Sequence, residues 1–190
     1  MFEVLDKACT PTKGSKYSAC VDLYAREDIV IGAGETVLVP LGVKIDLHDF
    51  MKTIVGDEFY TIDQYQNEIG KTEVDNFLKS HQLNLHIRSS MSAKHGLIIA
   101  DGTGIIDLDY PGEIMICLHK PFRFRDIFTV PYDFILDSIL GSKRKLKSYS
   151  KYFISSKDRI AQIGLVEHKS YLLGVESKEK RVGGFGSTDV

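Results

Sequence analysis

The stretch Asp28-Ile29-Val30-Ile31-Gly32-Ala33-Gly34-Glu35-Thr36-Val37-Leu38-Val39-Pro40-Leu41-Gly42-Val43-Lys44-Ile45-Asp46-Leu47 decides the fold class. A short β-branched run, residues 28–31, stops at a Gly-Ala-Gly turn signal. Residues 36–40 then read as a second strand. Residues 43–47 alternate apolar and polar with period two and read as a third. Working outward, Leu83-Asn84-Leu85-His86-Ile87 alternates again. Ile114-Met115-Ile116-Cys117-Leu118 is a continuous apolar run and predicts a strand buried on both faces. Residues 160–166 and 171–175 complete the set. Short strands separated by glycine-rich turns imply a mainly β sandwich or barrel.

Two segments break this rhythm. Within residues 49–82, Thr72-Glu73-Val74-Asp75-Asn76-Phe77-Leu78-Lys79 reads as a capped amphipathic helix. Within residues 120–157, residues 132–140 precede Gly141 and read as a second helix with a C-terminal glycine. The basic run Lys143-Arg144-Lys145-Leu146-Lys147 follows.

At 190 residues the chain can bury a sizeable core, and it is read as a single domain over 1–190. A net charge of −2 argues against a general nucleic-acid binder, so any basic site must be local. Cys9, Cys20 and Cys117 are widely spaced and show no metal-ligand spacing. That odd, sparse set fits a reducing cytoplasm, and all three are expected to be buried, inert thiols. Residues 1–20 carry Asp6, Lys7, Lys13 and Lys16 and no apolar core, which does not describe a signal peptide. No apolar stretch is long enough to span a bilayer.

Five segments carry candidate chemistry. Tyr17 to Ala25 places one acid, Asp22, inside an apolar strand, where it needs a partner or an ion. Arg88-Ser89-Ser90-Met91-Ser92-Ala93-Lys94-His95-Gly96 gathers a guanidinium, hydroxyls and an ammonium, groups suited to a polyphosphate. Asp101 to Glu113 reads as a glycine-bent hairpin rich in acids, one of which could activate a water. Asp158-Arg159-Ile160-Ala161-Gln162-Ile163 puts charge at a strand entrance and an amide near the core. Gly183-Gly184-Phe185-Gly186-Ser187-Thr188 combines glycines that let backbone N–H groups approach phosphate with hydroxyls and one aromatic face. Each segment alone also fits a structural reading: a polar loop, a solvated acidic hairpin, a flexible terminus.

Taken in order, the five segments resemble the five motifs of the trimeric dUTPase family. Residues 19–25 resemble A-G-x-D-L-x-A, and residues 88–96 resemble R-S-G-x-x-x-K-x-G. Residues 104–113 resemble G-x-I-D-x-D-Y-x-G-E, residues 158–162 resemble D-R-I-A-Q, and the tail resembles R-G-x-G-G-F-G-S-T. The resemblance spans the chain apart from 49–82 and 120–157. It implies a dUTPase-like β-barrel or jelly roll with two partly helical insertions. It also implies a homotrimer, Mg²⁺, and hydrolysis of dUTP to dUMP and pyrophosphate.

By the same resemblance, Asp107 would orient and deprotonate the attacking water, and Asp22 would hold Mg²⁺ through its water shell. Arg88, Ser89, Ser90, Lys94 and Gln162 would serve the phosphates, with Lys180 or Arg181 as the cation of the tail. Tyr110 would pack on the deoxyribose. Asp101, Gly104 and Ile106 would line the uracil side. Phe185 would cover the ring, while Gly186, Ser187 and Thr188 close on the γ-phosphate. Residues 181–190 would form a mobile arm that orders over nucleotide.

Three positions depart from the pattern. Cys20 and Ser90 stand where the family has glycine. Asp101 stands where it has asparagine, and an ionised Asp cannot donate a hydrogen bond to a base.

Two rival readings share the fold. A dCTP deaminase would need a catalytic Glu near Cys117 and would lack the glycine-rich tail. A regulatory protein would bind a protein partner through the insertions. Those insertions have opposite charge: 49–82 holds seven acids and three bases, and 120–157 holds nine bases and three acids. They are expected to sit outside the barrel core and to pack on each other through helices 72–80 and 132–140, because one short amphipathic helix cannot bury its apolar face alone.

Overall fold

Period-two alternation becomes two facing sheets around one core. The computed structural model describes residues 1–55, 68–124, 126 and 150–175. In β6 (His81–Ile87) Leu83 and Leu85 turn inward and are almost fully buried, while Gln82, Asn84 and His86 take the other face. β6 is the fourth strand of an antiparallel five-stranded sheet. Its order is β2 (Thr12–Lys13), β3 (Val21–Tyr24), β11 (Arg159–Glu167), β6 and β8 (Gly104–Asp107). A four-stranded sheet has the order β1 (Phe2–Val4), β5 (Thr36–Ile45), β9 (Glu113–His119) and β7 (Ile98–Ile99). β4 (Ile29–Gly32) and β10 (Lys151–Ile154) pair separately. Leu23, Ile31, Val39, Leu41, Ile114, Ile116, Leu118, Ile154 and Ile160 meet in the core with no exposed surface.

The two strands expected at 36–40 and 43–47 form one ten-residue strand, β5. It bends rather than breaks. The register with β9 shifts between Pro40 and Lys44, and Gly42 adopts φ +67°. Proline lacks a ladder donor and glycine adopts that φ without steric cost, so both suit the irregularity. A Cβ at position 42 would sit 2.7 Å from Cys9 Cβ. The Gly42 N–H donates to Glu113 Oε1 at 2.8 Å, and Glu113 also pairs with Arg26 at 3.0 Å. Leu47 leaves the sheet to begin α1 (Leu47–Val55).

Several expectations need correcting. β9 is not buried on both faces: Ile114, Ile116 and Leu118 are buried and alternate with half-buried Met115 and Cys117. β8 and β9 do not form a hairpin with each other, because β8 pairs with β6 and β9 pairs with β5 and β7. The chain crosses to the five-stranded sheet after β7 and returns before β9. Residues 171–175 are not a strand. Ser170–Leu173 form a short 3₁₀ turn closed by Gly174 at φ +68°, with Tyr171, Leu172 and Leu173 exposed. Cys9 is buried as expected, but Cys20 and Cys117 are only half-buried.

The helix expected at 72–79 is longer and runs as α2 (Glu68–Ser80). Its apolar face meets α1: Phe50 and Phe77 rings lie 5.7 Å apart, and Phe77 stacks on His81 at 3.9 Å. Phe50 belongs to the main core, with Ile54, Phe77 and Leu78 packed against it. The first insertion is therefore not outside the barrel core. Burying one such aromatic side chain contributes about 2 kcal/mol, enough to seat a short helix. The helix expected at 132–140, the basic run at 143–147 and the tail at 176–190 lie outside the described residues.

Candidate active site

Asp22 sits on β3, the second strand of the five-stranded sheet, on the face opposite the core, and is 8% exposed. It stands directly across from Gln162 on β11, and Gln162 stands across from His86 on β6. Residues opposed in register project to the same face, so this acid, amide and imidazole form one row. Arg88 follows β6 and Arg159 opens β11. Asp22 Oδ1 forms an ion pair with Arg88 Nε at 3.2 Å, and Asp22 Oδ2 accepts from Arg159 Nη1 at 3.2 Å. The register of β11 against β3 shifts between Arg159 and Ala161, and this bulge turns Arg159 toward Asp22. The acid that required a partner thus has two. Each of its oxygens faces a guanidinium, which compensates the desolvation of a nearly buried charge.

The bridging role of Arg159 was not assigned from sequence. Its only signal there was an arginine next to the strand that carries Gln162. Asp158, beside it, accepts the Ser155 N–H through Oδ2 at 2.9 Å and shapes the turn before the strand.

Arg88 is also the last residue before α3 (Ser89–His95). Its N–H donates to the Ile160 carbonyl, and its carbonyl accepts from Met91 and Ser92. Ser89 and Ser90 lie on the first turn, next to the Asp22 pair. Lys94 lies at the other end of the helix, which closes at Gly96 with φ +67°. Segment 88–96 therefore divides. Arg88 and the two serines join Asp22 and Gln162, while Lys94 lines a separate cavity with His95, Lys120 and Tyr152.

Within the acidic segment 101–113, β8 runs back along β6 from Gly104 opposite Leu85 and brings Asp107 to the far end. Asp107, exposed at the end of edge strand β8, stands across from Gln82. From Asp22 it is separated by three strand spacings, about 14 Å, and by four residues along β6, about 13 Å, or roughly 19 Å on the diagonal. Side chains at that separation cannot act on one phosphorus atom within one chain.

Gly104 backs onto Leu85, where a Cβ would meet Leu85 Cβ at 3.1 Å, and Ile106 buries its side chain in the core. What these two can offer a ligand is backbone. The Tyr110 ring lies over Gly112, where a Cβ would come within 2.6 Å of its hydroxyl. Asp101 is exposed in the turn between β7 and β8, beside Gly102 at φ +77°. The Cys117 thiol is held above its ordinary pKa by burial, with a further contribution from the charge of Asp101. Arg181, Phe185, Gly186, Ser187 and Thr188 lie outside the described residues.

Among the described residues no three His, Cys, Asp or Glu side chains converge as a metal cage. Mg²⁺ gives up water reluctantly and is commonly held by one or two carboxylates together with substrate phosphates. That pattern fits Asp22 acting through a water shell.

No protein-family model matches the chain. A deoxyuridine 5′-triphosphate nucleotidohydrolase of Neisseria meningitidis is 30% identical over 145 residues, covering 73% of this chain and 76% of that one. The chain belongs to the dUTPase family. A family member from Mycolicibacterium gilvum is 29% identical over 108 residues, covering 57% of this chain and 51% of its own length, so the match spans about half of that relative. The fold agrees. A solved dUTPase from phage phi11 of S. aureus, described with a structural Mg(II) ion, has a TM-score of 0.54. Its match covers 98% of this chain and 97% of that one at 18% identity.

Proposed function

We propose that the chain is a dUTP diphosphatase, working as a homotrimer with Mg²⁺. The observation that carries this reading is the division of the five-stranded sheet. A dUTPase-family chain gathers Asp22, Arg88, Arg159 and Gln162 at one end of β6 and places Asp107 at the other. A site that uses both ends must join two copies, which is the arrangement a symmetric oligomer supplies.

In this reading Arg88, Ser89, Ser90 and Gln162 of one copy hold the triphosphate, and Asp22 fixes the guanidinium of Arg88. Asp22 would be the residue to hold a Mg²⁺ ion, which would supply neutralisation of phosphate charge. Asp107 of a neighbouring copy accepts a proton from the water that attacks the α-phosphorus. The new P–O bond forms as the bond to the bridging oxygen breaks. dUMP and pyrophosphate leave. Tyr110, braced over Gly112, would pack on the deoxyribose, and backbone groups near Gly104 and Ile106 would read the uracil edge. Lys94 faces away from the Asp22 pair and is assigned to the phosphates only by family resemblance. The arm at 181–190, with Phe185, Gly186, Ser187 and Thr188, would close over the nucleotide.

Membership of the family and Cys117 within β9 speak against the deaminase reading. Pyrophosphate release measured across dUTP, dTTP, dCTP and UTP with Mg²⁺ tests the proposal: turnover of dUTP far above the other three is expected. Equal rates on all four, or none on dUTP, would overturn it. A reading in which the insertions bind a protein partner is compatible with catalysis. No helix among the described residues is long and apolar enough to cross a membrane.

A further inference from the structure

At the far end of α3 lies a cavity of about 210 Å³ lined by Lys94, His95, Gly96, Lys120, Pro121, Arg123, Ser150, Lys151 and Tyr152. Four of these residues are permanent cations and none is an acid. The cavity is bounded by the two ends of the second insertion, just after β9 and just before β10.

Lys120 decides its chemistry. It is a charged side chain only 9% exposed, and its ammonium donates to Ser150 Oγ at 3.1 Å. Among the described residues no carboxylate is ion-paired with Lys120, Arg123, Lys94 or Lys151. Two neighbouring acids already accept backbone N–H groups: Glu35, whose carbonyl accepts the Lys120 N–H, takes the Gly32 N–H on Oε2 at 2.8 Å, and Asp126 Oδ2 takes the Arg123 N–H at 2.7 Å. The Arg123 guanidinium is seated in the notch left by Gly96, where a Cβ would lie 1.5 Å from its Nη2. His95 and Tyr152 close one wall with ring centroids 4.5 Å apart. A nearly buried ammonium beside three further cations is costly unless an anion shares the site. Its volume lies below the ~300–1,000 Å³ of pockets for drug-sized ligands, which suits a small anion.

We infer that this cavity is a second anion site, for a small multiply charged phosphate such as orthophosphate or pyrophosphate, separate from the Asp22 cluster. Guanidinium and ammonium donors converging on one small volume suit oxygens that each carry charge. The site does not depend on the catalytic reading.

Isothermal titration calorimetry of the full-length oligomer tests it. Orthophosphate and pyrophosphate are titrated separately without Mg²⁺, with the non-hydrolysable dUTP analogue dUpNHpp present at saturation so that the nucleotide site is filled. One anion per chain is expected to bind, and pyrophosphate more tightly than orthophosphate. Lys120→Met should weaken binding at least tenfold. Arg123→Gln with Lys151→Gln changes only exposed side chains and should do the same if the Lys120 variant misfolds. Turnover of dUTP by that double variant should stay at the wild-type rate. Absence of binding to wild type by either anion at millimolar concentration, or equal affinity in wild type and double variant, would overturn the inference. Loss of dUTP turnover in the wild-type protein would count against the catalytic proposal alone.

Discussion

The two ends of β6 make opposite use of acidic side chains. At the Arg88 end, Asp22 is nearly buried and each of its oxygens meets a guanidinium. At the Gln82 end, Asp107 is exposed on an edge strand. The first acid is held in place and organises its neighbours. The second lies on the solvent-exposed face. Under the proposed function, positioning falls to Asp22 and proton transfer to Asp107. The separation between them is what makes that proposal call for two copies.

The largest expected effect lies at the exposed end. Asp107→Asn keeps shape and removes the proton acceptor, so kcat for dUTP should fall on the order of 10²-fold or more, with nucleotide binding retained. Its denaturation midpoint should move by less than the equivalent of ~0.5 kcal/mol. Near wild-type turnover would remove Asp107 from its role.

The clamped end should respond in the reverse order. Asp22→Asn leaves two guanidiniums without their shared counter-charge. It should destabilise the fold by about 1–3 kcal/mol in urea denaturation. Unchanged stability would show that the pairs with Arg88 and Arg159 contribute nothing, and the contrast would collapse.

A smaller effect sharpens the comparison at the Asp107 end. Gly112→Ala forces a methyl against the Tyr110 ring. It should raise KM for dUTP several-fold, roughly 1 kcal/mol of lost binding, with kcat nearly intact. An equal fall in kcat would mean that Tyr110 also orders the reacting groups.

Much of this was legible in the sequence, and the misses have a common physical cause. The alternation in 83–87 and the apolar runs gave the strands. Lone Asp22 in an apolar strand announced that it needed a partner. The identity of that partner was not legible, because Arg88 and Arg159 reach Asp22 only through the register of β3, β11 and β6, which is non-local. The glycine-rich acidic segment read locally as a hairpin, yet its two strands pair with different neighbours across two sheets. Residues 171–175 had the composition of a strand, but no neighbouring strand pairs with them among the described residues, and Gly174 ends the turn instead. The apolar face of α2 did need a cover, as argued from its pattern. The cover found is α1, which no helix was expected to supply, and the expected packing against residues 132–140 falls outside the described residues.

The central claim is that one site draws Asp107 and the Arg88 cluster from different copies. Mixing tests it most directly. Asp107→Asn and Arg88→Ala chains, each inactive alone, are unfolded together, refolded at equal concentration and assayed for pyrophosphate release from dUTP. If sites form between copies, random assembly should join a wild-type Asp107 to a wild-type Arg88 in about one quarter of sites, restoring about a quarter of wild-type activity. If the mixture stays as inactive as its components while forming the same oligomer, both residues serve the same chain and the account is wrong.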